Sequence, residues 1–588
     1  MRYKITITLM LMASLTTKAE IKYDVSFPNA SGHYAQISIT TQVNKGDTLR
    51  FKMPVWTPGS YKVREFSQNV DESWYANNGS RLHPTRADKN TWICAAVSDG
   101  NLTFTYNVYA FDLGVRTSYV DDNMAFLHGG SAFMYIEGSE HLPLVVAFEP
   151  RNNWSNVEMP LSRITNSTSY SCPSFDLLAD SPVALGNFEI STYETTSVPH
   201  KIVMIGDGNY DLEKVTEDFK KITDQEADMF GGKHPSNVYI HFIQNVNAGG
   251  GGLEHLNSQT SQVNRWVYQD EKLYLKFLGL ISHEYFHLWN IKRIRPIELG
   301  PFDYNRENYT DMLWVAEGIT SYYDDLILRR AGFHNDETYF TAIATNITRL
   351  QNQPGRTVMS LDESSQLAWI KAYMSNENSN NKTISYYNKG MLVAWMLDVE
   401  ILNNTGGKGR LDDVMVFLFN EYYTKLGRGF THQEFIQACE KIAGSSLTSF
   451  FEEYIFGKTP LPYNKYAELL GLTINNDLPE SASLGLKTKS ENGKLMITYI
   501  EPEGSASIAG LSVHDEIISI NNWRIGEDIN NKIPGFDIGK TVVIIYVRDG
   551  QMFETNATLL SSSEVKFTVV VSDELTKQQE ELFQIWLD

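Results

Sequence analysis

The chain has 588 residues, which is too long for one hydrophobic core and predicts three or four domains. Hydrophobic residues make up 42% of the chain and charged residues 21%, a composition typical of globular proteins. The formal net charge of −21 argues against nucleic acid or an anionic membrane surface as the main partner.

Residues 1–19 have the layout of a secretory signal peptide. A basic start, MRYK, precedes an apolar run over residues 5–15, and the small residue Ala19 stands at the expected cleavage site. That run is too short to span a bilayer, and no later stretch resembles a transmembrane helix. We therefore expect an exported protein, periplasmic or secreted, with no membrane span.

The cysteines give no sign of a disulfide framework. Cys94, Cys172 and Cys439 are far apart in the chain and odd in number. We predict three buried free thiols, and a single Cys94–Cys172 bridge is the alternative.

Residues 20–200 are predicted to form an N-terminal β-sandwich-like domain. Runs such as AQISITTQV, TLRFKMPVW and NLTFTYNVYAF are short and β-rich, and Gly, Asn, Asp and Pro separate them. The segment WTPGSY, residues 56–61, is typical of a turn. Pattern alone assigns no functional residue to this domain.

Residues 201–465 are predicted to form a mainly helical domain that begins with a small β-part. NVYIHFIQN, residues 237–245, is typical of a strand. From residue 271 to about 456, apolar residues recur at spacings of three and four, which indicates helices. A small β-part followed by helices is consistent with a two-lobed hydrolase.

The stretch GLISHEYFHLWN, residues 279–290, contains His283, Glu284 and His287 in the order H-E-x-x-H. The two histidines are four residues apart, so they share one helix face and can bind one Zn²⁺. Glu284 lies about 100° around the helix, where it can reach a water molecule on the metal without being a ligand. Because so short a pattern also arises by chance, the rest of the chain has to supply the missing ligand.

A catalytic zinc needs a third protein ligand and one open position. Glu317, in the helix-like stretch DMLWVAEGITSYYDDL, is predicted as that ligand because its small neighbours leave room for a metal. Asp324 follows on the same face, with Asp325 adjacent, and one of these aspartates is predicted to hold a ligand histidine through its second ring nitrogen. Asp324 is favoured, and Asp325 is the alternative. The expected cofactor is one Zn²⁺ per chain.

Several segments together resemble one peptidase family. HEYFHLWNIKRIRP followed by LWVAEGITSYYDD is similar to the M61 family of zinc metallopeptidases, of the glycyl aminopeptidase type, which belongs with the thermolysin-like gluzincins. MPVWTPGSYKVREF and VRTSYVDDNMAF resemble its N-terminal β-domain, and LPYNKYAELLGL resembles its lead into a C-terminal PDZ domain. The resemblance implies a multidomain α+β protein with a thermolysin-like catalytic domain.

Two further segments are assigned roles through this resemblance. GGGGLEH, residues 249–255, resembles the substrate-binding strand of related aminopeptidases, so Gly251 and Gly252 would pair with the peptide and Glu254 would bind its terminal ammonium. A flexible loop with a surface glutamate is the alternative. In SYYNKG, residues 385–390, Tyr387 resembles the tyrosine that donates to the oxyanion, and a core tyrosine is the alternative.

The predicted activity is that of a zinc aminopeptidase that removes N-terminal residues, small ones such as Gly or Ala, from peptide substrates. Glu284 would be the general base that takes the proton of the zinc-activated water. Two alternatives stay open. One is a zinc endopeptidase, and the other is a catalytically weak protein that binds peptides in quality control.

Residues 466–565 are predicted to form the C-terminal PDZ β-domain, and residues 566–588 a helical tail. EPEGSASIAGLSVHDEIISINNWRI resembles a PDZ domain of the bacterial protease type. Leu484, Gly485 and Leu486 resemble its carboxylate-binding loop, so peptide C-termini are expected partners. A β-domain that only packs on the catalytic domain is the alternative.

Overall fold

The computed structural model describes residues 21–526 and 529–588, so the predicted signal peptide at residues 1–19 lies outside the described residues. The chain forms two compact units. Among the described residues, the first contains 21–54, 65–113 and 117–187, and the second contains 55–64, 114–116, 188–526 and 529–588. Two short segments from within the predicted N-terminal domain therefore belong to the second unit.

The first unit is β-rich, as the short β-rich runs predict. Its strands are β1 (Ile21–Ser26), β2 (Tyr34–Val43), β3 (Thr48–Lys52), β4 (Val70–Asn77), β5 (Ser80–Leu82), β6 (Thr85–Asp88), β7 (Thr91–Ala95), β8 (Gly100–Tyr109), β9 (Tyr119–Val120), β10 (Ala125–Leu127), β11 (Tyr135–Ile136), β12 (Leu144–Glu149), β13 (Asn156–Glu158), β14 (Ser162–Arg163), β15 (Ser169–Cys172) and β16 (Val183–Gly186). Two short helices, α1 (Gly129–Ala132) and α2 (Phe175–Ala179), complete it.

These strands form three sheets. The largest has the order β14-β15-β12-β1-β2-β8-β4-β5, and the two four-stranded sheets have the orders β13-β16-β10-β9 and β11-β3-β7-β6. In β2 every second residue is buried, including Ile37 and Ile39, which pair with Tyr106 and Phe104 of β8. This alternation is what a strand with one face on the core requires.

The second unit begins with a mixed five-stranded sheet. Its strands are β17 (Glu189–Thr195), β18 (Val198–Ile205), β19 (Tyr239–Val246), β20 (Gly251–His255) and β21 (Ser258–Asn264), in the order β17-β18-β19-β21-β20. Strand β20 therefore lies at the edge of this sheet, and it pairs with β21 in the antiparallel direction.

Helices make up most of the remainder of the second unit, as the apolar spacing predicts. They are α3 (Leu212–Met229), α4 (Glu271–Phe286), α5 (Ile319–Arg330), α6 (Asp336–Gln351), α7 (Leu361–Gln366), α8 (Ser379–Lys382), α9 (Tyr386–Thr405), α10 (Leu411–Leu418), α11 (His432–Ala443), α12 (Thr448–Tyr454) and α13 (Tyr463–Leu469). Two π-helical turns, Trp314–Gly318 and Phe419–Lys425, precede α5 and follow α10.

The chain from residue 472 onwards returns to β-structure, as predicted. Its strands are β22 (Leu472–Asn476), β23 (Ala482–Ser483), β24 (Leu486–Glu491), β25 (Lys494–Ile500), β26 (Glu516–Ile520), β27 (Trp523–Arg524), β28 (Thr541–Arg548), β29 (Gln551–Thr558), β30 (Leu560–Ser561) and β31 (Phe567–Val571), with helices α14 (Ser505–Ile508), α15 (Ile529–Lys532) and α16 (Lys577–Leu587). Strands β24, β25, β26, β28 and β29 form a sheet in that order, and β27 pairs with β26.

The amphipathic tail forms helix α16, which packs into the helical core of the second unit. The indole nitrogen of Trp586 donates to the hydroxyl of Tyr322, which donates in turn to Asp398. Arg410 donates to the carbonyls of Ile585 and Trp586. Helix α16 is therefore an integral part of this core.

Two further expectations concern the whole chain. Cys94, Cys172 and Cys439 are buried free thiols, as predicted, and the alternative Cys94–Cys172 bridge is not formed. Within residues 21–526 and 529–588, none of the helices combines the length and the apolar character that a membrane crossing needs.

Candidate active site

Helix α4 carries the H-E-x-x-H pattern at its C-terminal end. Asp270 caps its start by accepting a hydrogen bond from the Leu273 amide, and buried residues at helical spacing, such as Phe277 and Ile281, hold one side in the core. The helix ends at Phe286, so His283 lies in its last turn and His287 is the capping residue. Both imidazoles face the same cavity.

A π-helical turn brings Glu317 to these imidazoles. The turn spans Trp314–Gly318 directly before α5, and such turns recur at functional sites because they displace one side chain from the regular helix. One carboxylate oxygen of Glu317, Oε2, lies 3.4 Å from Nε2 of His283 and 3.2 Å from Nε2 of His287. Ligand atoms of all three residues lie within 4.8 Å of one another.

The other ring nitrogens have their own partners. His283 Nδ1 lies 3.0 Å from Oδ2 of Asp324, and His287 Nδ1 lies 2.8 Å from the carbonyl oxygen of Asn290. Because a carbonyl only accepts hydrogen bonds, Nδ1 of His287 carries the proton, and a neutral ring then keeps the Nε2 lone pair for a metal. Two such imidazoles and a carboxylate are a donor set that fits a divalent metal ion with an open position.

Asn290 also fixes the segment that carries Glu317. Its side-chain nitrogen donates to the carbonyls of Val315 and Ala316, at 2.8 and 3.1 Å. Asn290, a single buried residue, thus holds His287 through its own carbonyl group and holds the π-helical turn through its own side chain. The pattern H-E-x-x-H does not include this position, and no other sequence pattern indicates it.

Glu284 lies in the same cavity, with its carboxylate against the backbone of strand β20. A Cβ atom at Gly252 would lie 2.1 Å from Oε1 of Glu284, so any side chain there would displace the Glu284 carboxylate. Burial raises the pKa of Glu284 to about 7, against the lowering effect of His283 and His287. Its Oε2 atom is buried without a hydrogen-bond partner among the residues described. The side chain is therefore placed to exchange a proton with a molecule that enters the cavity.

Glu254, on the edge strand β20, is the second carboxylate in this region. It is 4% exposed, and no group in the described part of the chain donates a hydrogen bond to it or forms an ion pair with it. Its ligand atom lies within 4.8 Å of those of Glu284 and His287. The alternative of a surface glutamate on a flexible loop is wrong, because Glu254 is buried in a strand.

Glu254, Glu284 and His287 form a second group with metal-binding spacing. We favour the group of His283, His287 and Glu317 as the metal site, because the hydrogen bonds to Nδ1 of both histidines orient their Nε2 atoms towards Glu317. The second group shares His287, and its two carboxylates better suit the roles of a base and of a binding group for a cation.

Tyr387 lies in the first turn of α9, whose start Ser385 caps by accepting from the Asn388 amide. Its ring stacks over His283, with ring centres 6.1 Å apart, and its side chain lines the same cavity. Burial holds the pKa of Tyr387 well above its usual range, so the phenol stays protonated and able to donate. Gly390, one turn later, packs directly against Gly318, which joins this helix to the π-helical turn.

The cavity that contains these groups has a volume of about 950 Å³. It continues between α4 and α6, and its opposite side is formed by Gly59, Arg116 and strand β20. Gly59 and Arg116 come from the two short segments that the sequence assigned to the N-terminal β-domain. Their part in the cavity was missed because it depends on contacts distant in sequence.

The predicted carboxylate loop of the C-terminal module contains Leu484, Gly485 and Leu486. Gly485 has a positive φ of 67°, and its amide donates to Oγ of Ser483, at 2.9 Å. The Leu484 side chain is buried, and its carbonyl accepts from the Ala506 amide. One of the three amides expected to bind a carboxylate thus already has a partner.

The fold and this site define a metallopeptidase. Residues 276–393 match the model of the M61 glycyl aminopeptidase family, and residues 22–187 match the model of the peptidase M61 N-terminal domain. Both matches are to the M61 peptidase family, and together they cover just under half of the chain.

The chain is also similar to solved structures, of which the first described here has the same fold over nearly the whole chain. The crystal structure of an aminopeptidase N family protein from Idiomarina loihiensis has a TM-score of 0.88 to the chain at 28% identity, covering 97% of this chain and all of that one. An M1 zinc metallopeptidase from Deinococcus radiodurans has a TM-score of 0.45 at 13% identity, covering 76% of this chain and 94% of that one. No curated protein matches the chain significantly in sequence.

Proposed function

We propose that the protein is a zinc-dependent aminopeptidase that removes small residues, such as Gly or Ala, from the amino ends of peptides. The observation that carries this proposal is the Glu254 carboxylate, which lines the cavity, has no partner among the described residues and lies beside the metal-binding group. A carboxylate that faces a cavity without a protein partner is available to bind a cation that enters it.

The terminal ammonium of a peptide is such a cation. In a peptide the first carbonyl carbon is two bonds from the terminal nitrogen, a distance of about 2.5 Å. An ammonium bound to Glu254 therefore brings the first carbonyl close to His287 and Glu284, whose atoms lie within 4.8 Å of Glu254. This spacing selects the first peptide bond and supports exopeptidase action over endopeptidase action.

His283, His287 and Glu317 would hold the zinc ion. When bound, zinc would act as a Lewis acid towards the scissile carbonyl and lower the pKa of a water molecule. Asp324 and the carbonyl of Asn290 keep the two imidazoles in orientation throughout the reaction.

The protein's own side chains would carry out the proton transfers. Glu284 takes a proton from the attacking water and delivers it to the leaving amine. The protonated phenol of Tyr387 donates a hydrogen bond to the carbonyl oxygen as that oxygen gains negative charge. Glu254 keeps the ammonium in place during both steps.

A set of matched peptides tests the proposal. With zinc-loaded protein, Gly- and Ala-peptides with a free amino group should be cleaved at the first bond, and their N-acetylated counterparts should be cleaved far more slowly. Glu284→Gln should keep its zinc and lose turnover. Equal cleavage of free and acetylated peptides would support the endopeptidase alternative, and no cleavage by stoichiometrically zinc-loaded protein would support the peptide-binding one.

We further propose that residues 466–565 form a PDZ module and that residues 1–19 direct export. Strand β24 supports the first point, because it is an edge strand of its sheet and follows the predicted carboxylate loop. Titrating Glu284→Gln with peptides that differ only in a free or amidated C-terminus tests peptide binding. Sequencing the amino terminus of protein recovered outside the cytoplasm tests cleavage after Ala19.

A further inference from the structure

Arg116 is a cationic side chain within the candidate substrate cavity. It lies in the short segment 114–116, which belongs to the second unit and is attached to β19 by a hydrogen bond from Gln244 to the Gly114 carbonyl. One guanidinium nitrogen, Nη2, donates to the carbonyl oxygen of Gly252 at 3.3 Å. The side chain therefore reaches the edge strand that carries Glu254.

The positive charge of the Arg116 guanidinium is not neutralised by an ion pair within the described residues. In the described part of the chain, no carboxylate lies within ion-pair distance of it, and its Nε atom is buried without a hydrogen-bond partner. A second guanidinium, that of Arg64, lies close enough that burial and the charge of Arg116 together lower its pKa to about 10. A half-buried cation beside another cation is costly unless an anion binds to it.

The distance between Arg116 and Glu254 indicates which kind of anion would bind to Arg116. Gly252 and Glu254 are two residues apart in a strand, a distance of about 6.6 Å. An extended dipeptide or tripeptide spans roughly 7 to 10 Å, so its carboxylate would reach Arg116 while its ammonium is bound at Glu254. An acidic side chain near the amino end of a longer peptide would reach the same place.

Resting on the proposed aminopeptidase function, we infer that Arg116 forms a subsite that binds a carboxylate of the peptide substrate. The planar guanidinium suits this ligand, because it can donate two parallel hydrogen bonds to one carboxylate. Glu254 and Arg116 would then bind the two opposite charges of one short substrate on the same edge strand.

The test compares matched substrates that differ only in a carboxylate. One arm uses Ala-Ala and Ala-Ala-Ala with free or amidated C-termini, and the other uses anilides of Glu and Gln. In wild-type protein, kcat/KM for the carboxylate member of at least one arm should exceed that of its neutral counterpart by roughly ten- to a hundred-fold. The arm that shows the difference identifies the source of the carboxylate.

Variants of Arg116 test whether this residue causes the preference for a substrate carboxylate. Arg116→Gln should bring the ratio within each pair close to one, and Arg116→Lys should restore part of it. Lys276→Gln is the matched control, since Lys276 lines the same cavity but is exposed, and it should keep the wild-type ratio. A wild-type ratio near one in both arms, or an Arg116→Gln variant that loses both members of a pair equally, would overturn the inference.

A binding measurement separates this inference from the proposed function. Calorimetric titration of zinc-loaded Glu284→Gln with Ala-Ala and with Ala-Ala amide measures the carboxylate contribution without turnover. Tighter binding of the acid that is lost in Glu284→Gln/Arg116→Gln would support the subsite even if the wild-type protein cleaved neither peptide. Equal affinity for the two peptides, together with normal hydrolysis and no difference in the anilide arm, would remove the subsite and leave the aminopeptidase proposal intact.

Discussion

The two walls of the candidate active-site cavity differ in whether their functional side chains have hydrogen-bond partners within the protein. On the helical wall, formed by α4 and the π-helical turn, His283, His287 and Glu317 contact one another, and both imidazoles have partners for Nδ1. On the strand wall, formed by β20, Gly59 and Arg116, the carboxylate of Glu254 has no partner among the described residues.

This difference separates two tasks. A metal ion that stays bound needs ligands in a fixed geometry, and the hydrogen bonds on the helical wall provide it. A substrate that enters and leaves needs charged groups with free hydrogen-bonding capacity, which the strand wall retains. Variants on the two walls should therefore change different measured quantities.

The largest effect is expected for Glu317→Ala, which removes one of the three candidate metal ligands. Zinc content after dialysis should fall from about one to well below half an ion per chain, and kcat/KM should fall by roughly 10³-fold or more. Glu337→Ala is the control, because Glu337 lines the same cavity but is exposed. Stoichiometric zinc in Glu317→Ala would mean that the helical wall is not the metal site.

Glu254→Gln should come next in size and leave the zinc content unchanged. Removing one partner of a buried charge pair costs about 3 kcal/mol or more, so kcat/KM for free-amine peptides should fall by roughly 10²-fold. Slow cleavage of N-acetylated peptides should be unaffected. If zinc were lost together with activity, the two walls would not be functionally separate.

Asp324→Ala should weaken zinc binding by roughly 10- to 100-fold, because His283 loses the carboxylate that orients its ring. Competition with a chelator of known affinity measures this change. Once zinc is saturating, the preference for a free amino group should equal that of the wild type. A change in that preference would show that Asp324 acts on the substrate directly.

The smallest effect is expected for Gly59→Ala. Gly59 has a φ of +79°, and a Cβ atom there would lie 2.6 Å from Oε1 of Glu254, so the carboxylate has to move. We expect kcat/KM for free-amine peptides to fall by roughly tenfold. The fall should come from a rise in KM, because the carboxylate proposed to bind the substrate ammonium is displaced.

The control for this variant is Gly332→Ala, which has a similar φ of +83° but open space around the site of the added methyl group. It should lower the melting temperature by a similar amount, because the backbone strain is the same, and leave KM unchanged. A rise in KM in both variants would attribute the effect to strain alone.

The sequence predicted the helical wall better than the strand wall, for a physical reason. His283 and His287 are related by local helix geometry, and Glu317 could be proposed from a helical pattern with small neighbours. The π-helical turn around Glu317 and the double role of Asn290 depend on tertiary contacts that no periodicity reports.

The strand wall joins segments that are far apart in the chain. Gly59 and Arg116 lie within the range predicted as the N-terminal β-domain, more than 130 residues before Gly252, yet they belong to the second unit. WTPGSY predicted only a turn, and nothing in its pattern indicates that its glycine lies against Glu254. The family resemblance covered these segments but gave them no role in the cavity.

Helix α16 has a consequence for the order in which the enzyme matures. Trp586 donates to Tyr322, 264 positions earlier and only two residues before Asp324, so the core near the metal-binding group depends on a segment that is far along the chain. During synthesis, the helices around His283 and Glu317 cannot reach their final packing until residue 586 has left the ribosome. A chain that lacks residue 586 would therefore lack the finished packing around the candidate metal site.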